Sequence, residues 1–240
     1  MKQAIILAGG KGERLRPMTE DRPKPMVDIL GSPLLAYQLR WLRSYGVERV
    51  LICCGYRHEV IRSYFGDGSR WKLHIEYLIE EEPLGRGGAL KSALRRLGGA
   101  HDEVLACNGD LITNVSIAEL CACHRQNGPL ATIVTVPLKS PYGVIDLSAD
   151  DTVSGFREKP ELPFWINAGI YVLNRDIFDL LPDRGDHEVL TFPALAAAKR
   201  LRVYKTRSFW RTVDTVKDLT EVKSEMEEMA LGALFEKVSV

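Results

Sequence analysis

Neither sign of charge is in excess in this chain. Thirty-two Lys and Arg balance 32 Asp and Glu over 240 residues, so the formal net charge is zero. A chain without a global field has no long-range means of drawing in nucleic acid or an anionic membrane, so neither is expected as a partner and any anion site must be built locally. Long apolar runs are also missing. The first one, residues 4–8, stops at Gly9, too short for a signal peptide or a membrane span. Cysteine is sparse and odd in number: Cys53, Cys54, Cys107, Cys121 and Cys123, with no C-x-x-C pair. That argues against a disulfide framework and a zinc site, and points to reduced, mostly buried thiols in a cytoplasmic protein.

What is present is alternation. Apolar, β-rich runs at 3–8, 49–54, 74–79 and 103–107 are separated by helical periodicity at 34–44, 58–65 and 87–97. Such βαβαβ order predicts a Rossmann-like three-layer α/β/α fold with a mostly parallel mixed central sheet, and ligands at the carboxyl ends of its strands. Beyond Leu130 the runs at 131–137, 143–147, 153–157 and 167–173 are shorter and read as a mixed or antiparallel extension of the same sheet. Helices near 176–181 and 192–199, a strand at 201–205 and a last helix at 215–231 follow. No repeat or linker interrupts the chain. One domain over 1–240 is expected, with a nucleotide-binding half at about 1–112 and a sugar-phosphate half at about 113–240.

The stretch AIILAGGKGERLRP, Ala4 to Pro17, places three glycines around Lys11 at a strand end, with Arg14 and Arg16 directly after. Exposed turn amides and guanidinium groups together suit a polyphosphate. A dinucleotide site would want a third glycine where Leu15 stands, and a Walker loop would want Gly-Lys-Ser/Thr, so neither fits. Arg22-Pro23-Lys24-Pro25-Met26 follows, then Glu82 to Ala89 (EPLGRGGA), Asn108-Gly109-Asp110, Phe156-Arg157-Glu158-Lys159-Pro160 and Asn167-Ala168-Gly169-Ile170-Tyr171. In this order the blocks resemble the sugar-1-phosphate nucleotidylyltransferases, and the resemblance spans Ala4 to about Asp218. It implies the nucleotide-diphospho-sugar transferase fold and an enzyme that joins a nucleoside triphosphate to a sugar 1-phosphate, releasing pyrophosphate.

Two anions must be pushed together in that reaction, so cations and a metal ion carry it rather than a covalent nucleophile. The resemblance implies Arg14 on the triphosphate, Lys24 facing the α-phosphate, and Asp110 as a catalytic ligand of Mg2+. It implies nucleotide contacts at Leu7, Ala8, Gly9, Gly10, Lys11, Gly12, Gly85 and Gly88. Lys24 could otherwise be a surface lysine on an extended loop, and Asp110 a helix cap, although Ser116 is the more natural cap. Most relatives carry W-x-D-x-G-T-P near the end, whereas here Thr212 takes the aspartate's place and an acid appears at Asp214. A shift of two within a strand keeps the same face, so Asp214 is the expected second metal ligand, with N-capping of the last helix as the competing role.

For the sugar, the resemblance implies Lys159 on the phosphate and Glu158 on hydroxyls. Asn167, with two donors and an acceptor, is a further contact, and Gly143 and Gly169 let backbone approach. Glu80 could accept from the ring N–H and amino group of guanine, or could belong to a solvated acidic turn with Glu81 and Glu82. The middle of the chain resembles guanylyltransferases acting on mannose- or heptose-type 1-phosphates, while the tail, W-x-x-x-D-T, resembles glucose-1-phosphate cytidylyltransferases. Guanine is placed first; a cytidylyl-, uridylyl- or thymidylyltransferase, one acting on another phosphorylated substrate, and a non-catalytic nucleotide-sugar-binding regulator remain alternatives. Met226, Met229, Leu231, Leu234 and Phe235 read either as a homo-oligomer contact or as residues tucked back onto the domain. With nothing after Val240 for the left-handed β-helix domain of longer relatives, activities tied to that domain are not expected.

Overall fold

The computed structural model describes residues 1–99 and 102–229. Its elements in chain order are β1 (Gln3–Leu7), β2 (Asp28–Ile29), β3 (Ser32–Pro33), α1 (Leu34–Ser44), β4 (Arg49–Cys54), α2 (His58–Phe65), β5 (His74–Ile79), α3 (Gly85–Leu97), β6 (Glu103–Asn108) and β7 (Leu111–Thr113). There follow α4 (Ile117–Asn127), β8 (Ala131–Lys139), β9 (Val144–Leu147), β10 (Val153–Arg157), β11 (Glu161–Asn174), α5 (His187–Ala197), β12 (Leu201–Lys205), β13 (Trp210–Thr212) and α6 (Val216–Glu228).

Seven strands form one mixed sheet in the order β12-β8-β11-β6-β1-β4-β5. The first four to be made, β1, β4, β5 and β6, are mutually parallel, β12 runs parallel to β8, and β11 runs antiparallel to both its neighbours. The strands near the centre are apolar without alternation because both faces are covered. Ala4 and Ile6 face a core shared with α1, α2, α4 and α6, while Ile5 faces a second core shared with α3 and α5. Each fully buried isoleucine contributes roughly 2 kcal/mol relative to exposure. This is the expected three-layer α/β/α arrangement.

The second half departs from expectation in two places. Residues 144–147 and 153–157 do not extend the sheet; they form a separate two-stranded ribbon, with Ile145, Leu147, Val153 and Phe156 exposed. Alternation marks a strand but does not say which sheet it joins. The short strands β7 and β13 had no visible pattern of their own and pair with each other, Leu111 opposite Thr212.

In the last helix, Leu219, Val222 and Met226 are buried, so Met226 tucks back onto the core, and Met229 is exposed. Leu231, Leu234 and Phe235, and the last residues of the expected helix at 215–231, lie outside the described residues. All five cysteines are free thiols, Cys53, Cys54, Cys107 and Cys121 buried. Burial pushes the Cys54 and Cys107 thiols up to about 12, which keeps them protonated and inert. Among the described residues, no helix is long and apolar enough to cross a membrane.

Candidate active site

The carboxyl ends of β1, β4, β5 and β6 open onto a single cleft. One part, about 820 Å3, is walled by Leu7, Gly9, Gly10, Lys11, Gly55, Tyr56, Glu80, Gly85, Arg86 and Asn108. It runs on into a second part of about 440 Å3, walled by Ala8, Gly12, Arg14, Lys24, Pro25, Gly109 and Asp214; Leu7, Gly10, Lys11 and Asp110 belong to both. Volumes of this size suit a nucleotide-sized ligand.

The glycine turn is shaped by its neighbours. Gly12 has φ +66° and sits so close to Lys24 that a Cβ would come within 2.9 Å of the lysine Cβ, so only glycine meets both demands. Its carbonyl accepts from Leu15 N and Thr19 Oγ1, which anchors a short 3-10 turn, Glu13–Leu15, with Leu15 in the core and Arg14 outward. Gly10 has nothing within 4 Å of where a Cβ would stand and faces the open cleft.

Lys24 opens a second 3-10 turn, Lys24–Met26, after Pro23 and with Pro25 in its first turn. The lysine is 9% exposed. Its ammonium donates to Asp110 Oδ2 at 2.8 Å and to Asp214 Oδ1 at 2.5 Å, while Arg14 Nη2 donates to the same Asp214 oxygen at 2.9 Å. Two cations and two carboxylates thus meet in one corner. Asp110 Oδ1 is buried without a hydrogen-bond partner. That orphaned oxygen fits a cation ligand, since a buried acceptor left unpaired is costly. Among the described residues no group of three or more His, Cys, Asp and Glu could hold an ion alone. A site of two carboxylates suits Mg2+, which takes its other ligands from water and phosphate.

Asp214 reaches this corner by a different route from the one its spacing suggests. Strand β13 ends at Thr212, so face parity within the strand does not carry it. Val213 is buried and donates its N–H to Asp110 O at 2.9 Å, which brings the next residue alongside Asp110. Nor is Asp214 the cap of α6: Thr215 and Asp218 form a reciprocal capping box. Likewise Ser116, not Asp110, caps α4.

Glu80, at the end of β5, turns toward Gly9 and accepts from Leu84 N at 3.1 Å. Burial raises its carboxyl above the usual range, and the Leu84 hydrogen bond offsets part of that. It is therefore a half-buried acid on the cleft wall rather than a solvated turn residue. Gly85 lies on the rim, but Gly88 does not. A Cβ on Gly88 would meet Asp183 O at 2.5 Å, so this glycine makes room for the loop 182–187 against α3. Gly87 N donates to Gly185 O in the same clasp.

Gly143, Glu158, Lys159, Asn167 and Gly169 are not on the cleft walls. Gly143 and Glu158 gather with Phe156 at the base of the β9/β10 ribbon: a Cβ on Gly143 would stand 3.1 Å from Glu158 Oε2. Lys159 has φ +45°, a backbone state that bulky residues rarely hold without surrounding support. Gly169, φ +69°, backs directly onto Asn108, a cleft residue. Asn167 gives its Nδ2 to Tyr171 Oη and Glu188 Oε1, so its donors are committed internally and only its oxygen retains capacity. Asn108, Tyr56 and Arg86 escaped the sequence reading as site residues. Arg86 and Asn108 did carry a signal, since they stand in the blocks EPLGRGGA and Asn108-Gly109-Asp110.

Residues 3–229 match the family model described as Nucleotidyl transferase, and the chain belongs to that family. It is 36% identical over 231 residues to a mannose-1-phosphate guanylyltransferase of Mycobacterium tuberculosis, over 93% of this chain and 64% of that protein. To mannose-1-phosphate guanylyltransferase 1 of Arabidopsis thaliana it is 34% identical over 224 residues, 90% of this chain and 62% of that one. The chain thus spans just under two thirds of the length of these curated relatives. The crystal structure of HddC from Yersinia pseudotuberculosis complexed with GMP-PN is similar with a TM-score of 0.75 and 26% identity, covering 94% of this chain and 100% of that one.

Proposed function

We propose that the chain transfers a guanylyl group from GTP to a mannose- or heptose-type sugar 1-phosphate, releasing pyrophosphate and forming a GDP-sugar. The observation that carries this reading is the meeting of Arg14, Lys24, Asp110 and Asp214 on the wall that also bears the glycine turn. The names of the relatives, and the guanine nucleotide in the HddC structure, support guanine.

The reacting groups are a phosphate oxygen of the sugar and the α-phosphorus of GTP. The P–O bond to the sugar phosphate forms as the P–O bond to pyrophosphate breaks, and neither partner needs to lose a proton. The chain therefore has no call for a general base; its task is to gather charge. Arg14 can fork onto triphosphate oxygens beside the glycine turn. Lys24, held by the two-proline turn, presents a fixed ammonium to negative charge building at the α-phosphate, with little reorganisation. Asp110 and Asp214 would hold Mg2+, which neutralises phosphate charge when bound. Glu80 supplies an acceptor matched to the N1–H and amino donors of guanine. Glu158 and Lys159, on the ribbon base, are assigned to the sugar hydroxyls and the sugar phosphate, and Asn167 to a sugar hydroxyl as acceptor.

The test is pyrophosphate release from purified protein with Mg2+, each nucleoside triphosphate in turn, and a panel of sugar 1-phosphates. Release is expected with GTP and a mannose- or heptose-type 1-phosphate. No release with any pair, from protein shown to be folded, would overturn the proposal.

A further inference from the structure

Behind the cleft lies a polar network that the charge-gathering corner does not use. Arg86, on the cleft wall at the start of α3, sends Nε and Nη2 to Asp186 Oδ2, and its Nη2 also stands 2.8 Å from Glu188 Oε2. The other oxygen of Glu188 accepts from Tyr171 Oη at 2.6 Å and from Asn167 Nδ2 at 2.9 Å. Asn167 Oδ1 in turn accepts from Gly169 N at 2.8 Å. Beneath them Tyr171 and His187 are wholly buried, ring centroids 5.3 Å apart, edge to face.

This wiring decides which way the Asn167 amide points. With Glu188 demanding a donor on one side and the Gly169 N–H demanding an acceptor on the other, only one orientation satisfies both. The remaining lone pair of Oδ1 is then what the exposed side of Asn167 offers. Arg86 fixes the Glu188 carboxylate from behind, and Asp186 keeps Arg86 in place through two bonds of its own.

We infer that Glu188 is a positioning residue for the sugar 1-phosphate: it acts through Asn167, holding the amide so that its oxygen faces the sugar. The inference rests on the guanylyltransferase reading above. Because Arg86 retains Asp186 when Glu188 is removed, the nucleotide wall stays put and the effect falls on one substrate.

The experiment compares steady-state constants for both substrates. Glu188→Ala is expected to raise KM for the sugar 1-phosphate roughly tenfold while KM for GTP stays within about twofold. Glu188→Gln can keep its amide oxygen on Tyr171 and Asn167 but then turns its NH2 toward Arg86 Nη2, so it should recover part of that loss. A second test survives poor folding of the alanine variant. Asn167→Asp places two carboxylates face to face and should raise the sugar KM, and adding Glu188→Gln, which can donate to the new acid, should restore it to within about threefold. Equal changes in both KM values that follow the loss of melting temperature, an unmoved sugar KM, or a double variant no better than Asn167→Asp would overturn the inference. Wild-type protein inactive with every substrate pair would sink the guanylyltransferase reading itself, whereas active wild type with unaffected variants sinks only the role of Glu188.

Discussion

Arg14 and Asp214, 200 residues apart in the chain, meet at 2.9 Å over the mouth of the cleft. The pair brings the first turn of the fold together with its last loop, and Lys24 sits behind both, between Asp214 and Asp110. Cations and acids neutralise one another here without substrate. Under the proposed function each would exchange its internal partner for a phosphate or a metal ion.

Removing Lys24 should therefore have two opposite effects. Lys24→Ala is expected to lower kcat by roughly a hundredfold or more, since the ammonium is lost where charge develops. It also leaves Asp110 and Asp214 without the cation between them, so Mg2+ should bind more tightly. Melting temperature measured in chelator and in millimolar Mg2+ should rise more with the ion in the variant than in wild type.

Gly10 faces open cleft, whereas Gly88 is packed against protein. Gly10→Ala adds a methyl group to open cleft and should leave the melting temperature unchanged while kcat/KM falls by about tenfold or more. Gly88→Ala drives a Cβ onto the Asp183 carbonyl and should cost about 2 kcal/mol or more, read in urea unfolding.

Glu80 is expected to select the base. Glu80→Gln keeps the size but exchanges an acceptor for a donor, so kcat/KM for GTP should fall roughly tenfold or more, with ATP and CTP little affected. Its raised carboxyl has a sign for stability as well. An acid whose folded pKa lies above its unfolded value loses stability as pH rises through that interval. The glutamine variant should thus gain stability over wild type at pH 7 and lose that advantage in acid, as urea titrations at both pH values would show.

His187 gives the opposite dependence. Burial lowers its pKa to about 4, with both ring nitrogens unpartnered. The unfolded chain takes up its proton first, so stability falls as pH drops from the ordinary histidine value near 6.5 toward 4. His187→Leu should remove up to about 2 kcal/mol of that acid-induced loss, measured as the difference in unfolding free energy between pH 7 and pH 4.5 in each protein.

The parallel half of the sheet was legible in the sequence because its strands are buried on both faces and its helices have regular apolar periodicity. Strands β4 and β5 and helices α1 and α2 lie where their patterns place them. The β9/β10 ribbon was misplaced because alternation reports a face, not a partner. In the site, glycine, proline and a strand end fix the backbone around Arg14, Lys24 and Asp110, but it was the family resemblance that set the three side by side, as the structure does. Asp214 does stand beside Lys24 and Arg14, but not through the face parity its spacing suggests: the Val213 N–H bond to Asp110 O, a contact across 103 residues, cannot be read from spacing. Gly85, Gly87 and Gly88 all press against the loop that precedes α5, a packing role the sequence could not show, since it does not reveal whether the space beside a glycine holds ligand or protein. Glu188 gave no local sign at all, because its role is set by Arg86, Tyr171 and Asn167 from other parts of the chain.

The three-residue pairing of β13 with β7 joins distant parts of the chain. The glycine turn, Lys24 and Asp110 precede Asp214 by more than 100 residues in the sequence. The corner that holds Lys24 gains its second carboxylate only where residues 210–214 lock onto Leu111–Thr113, so two three-residue strands complete it.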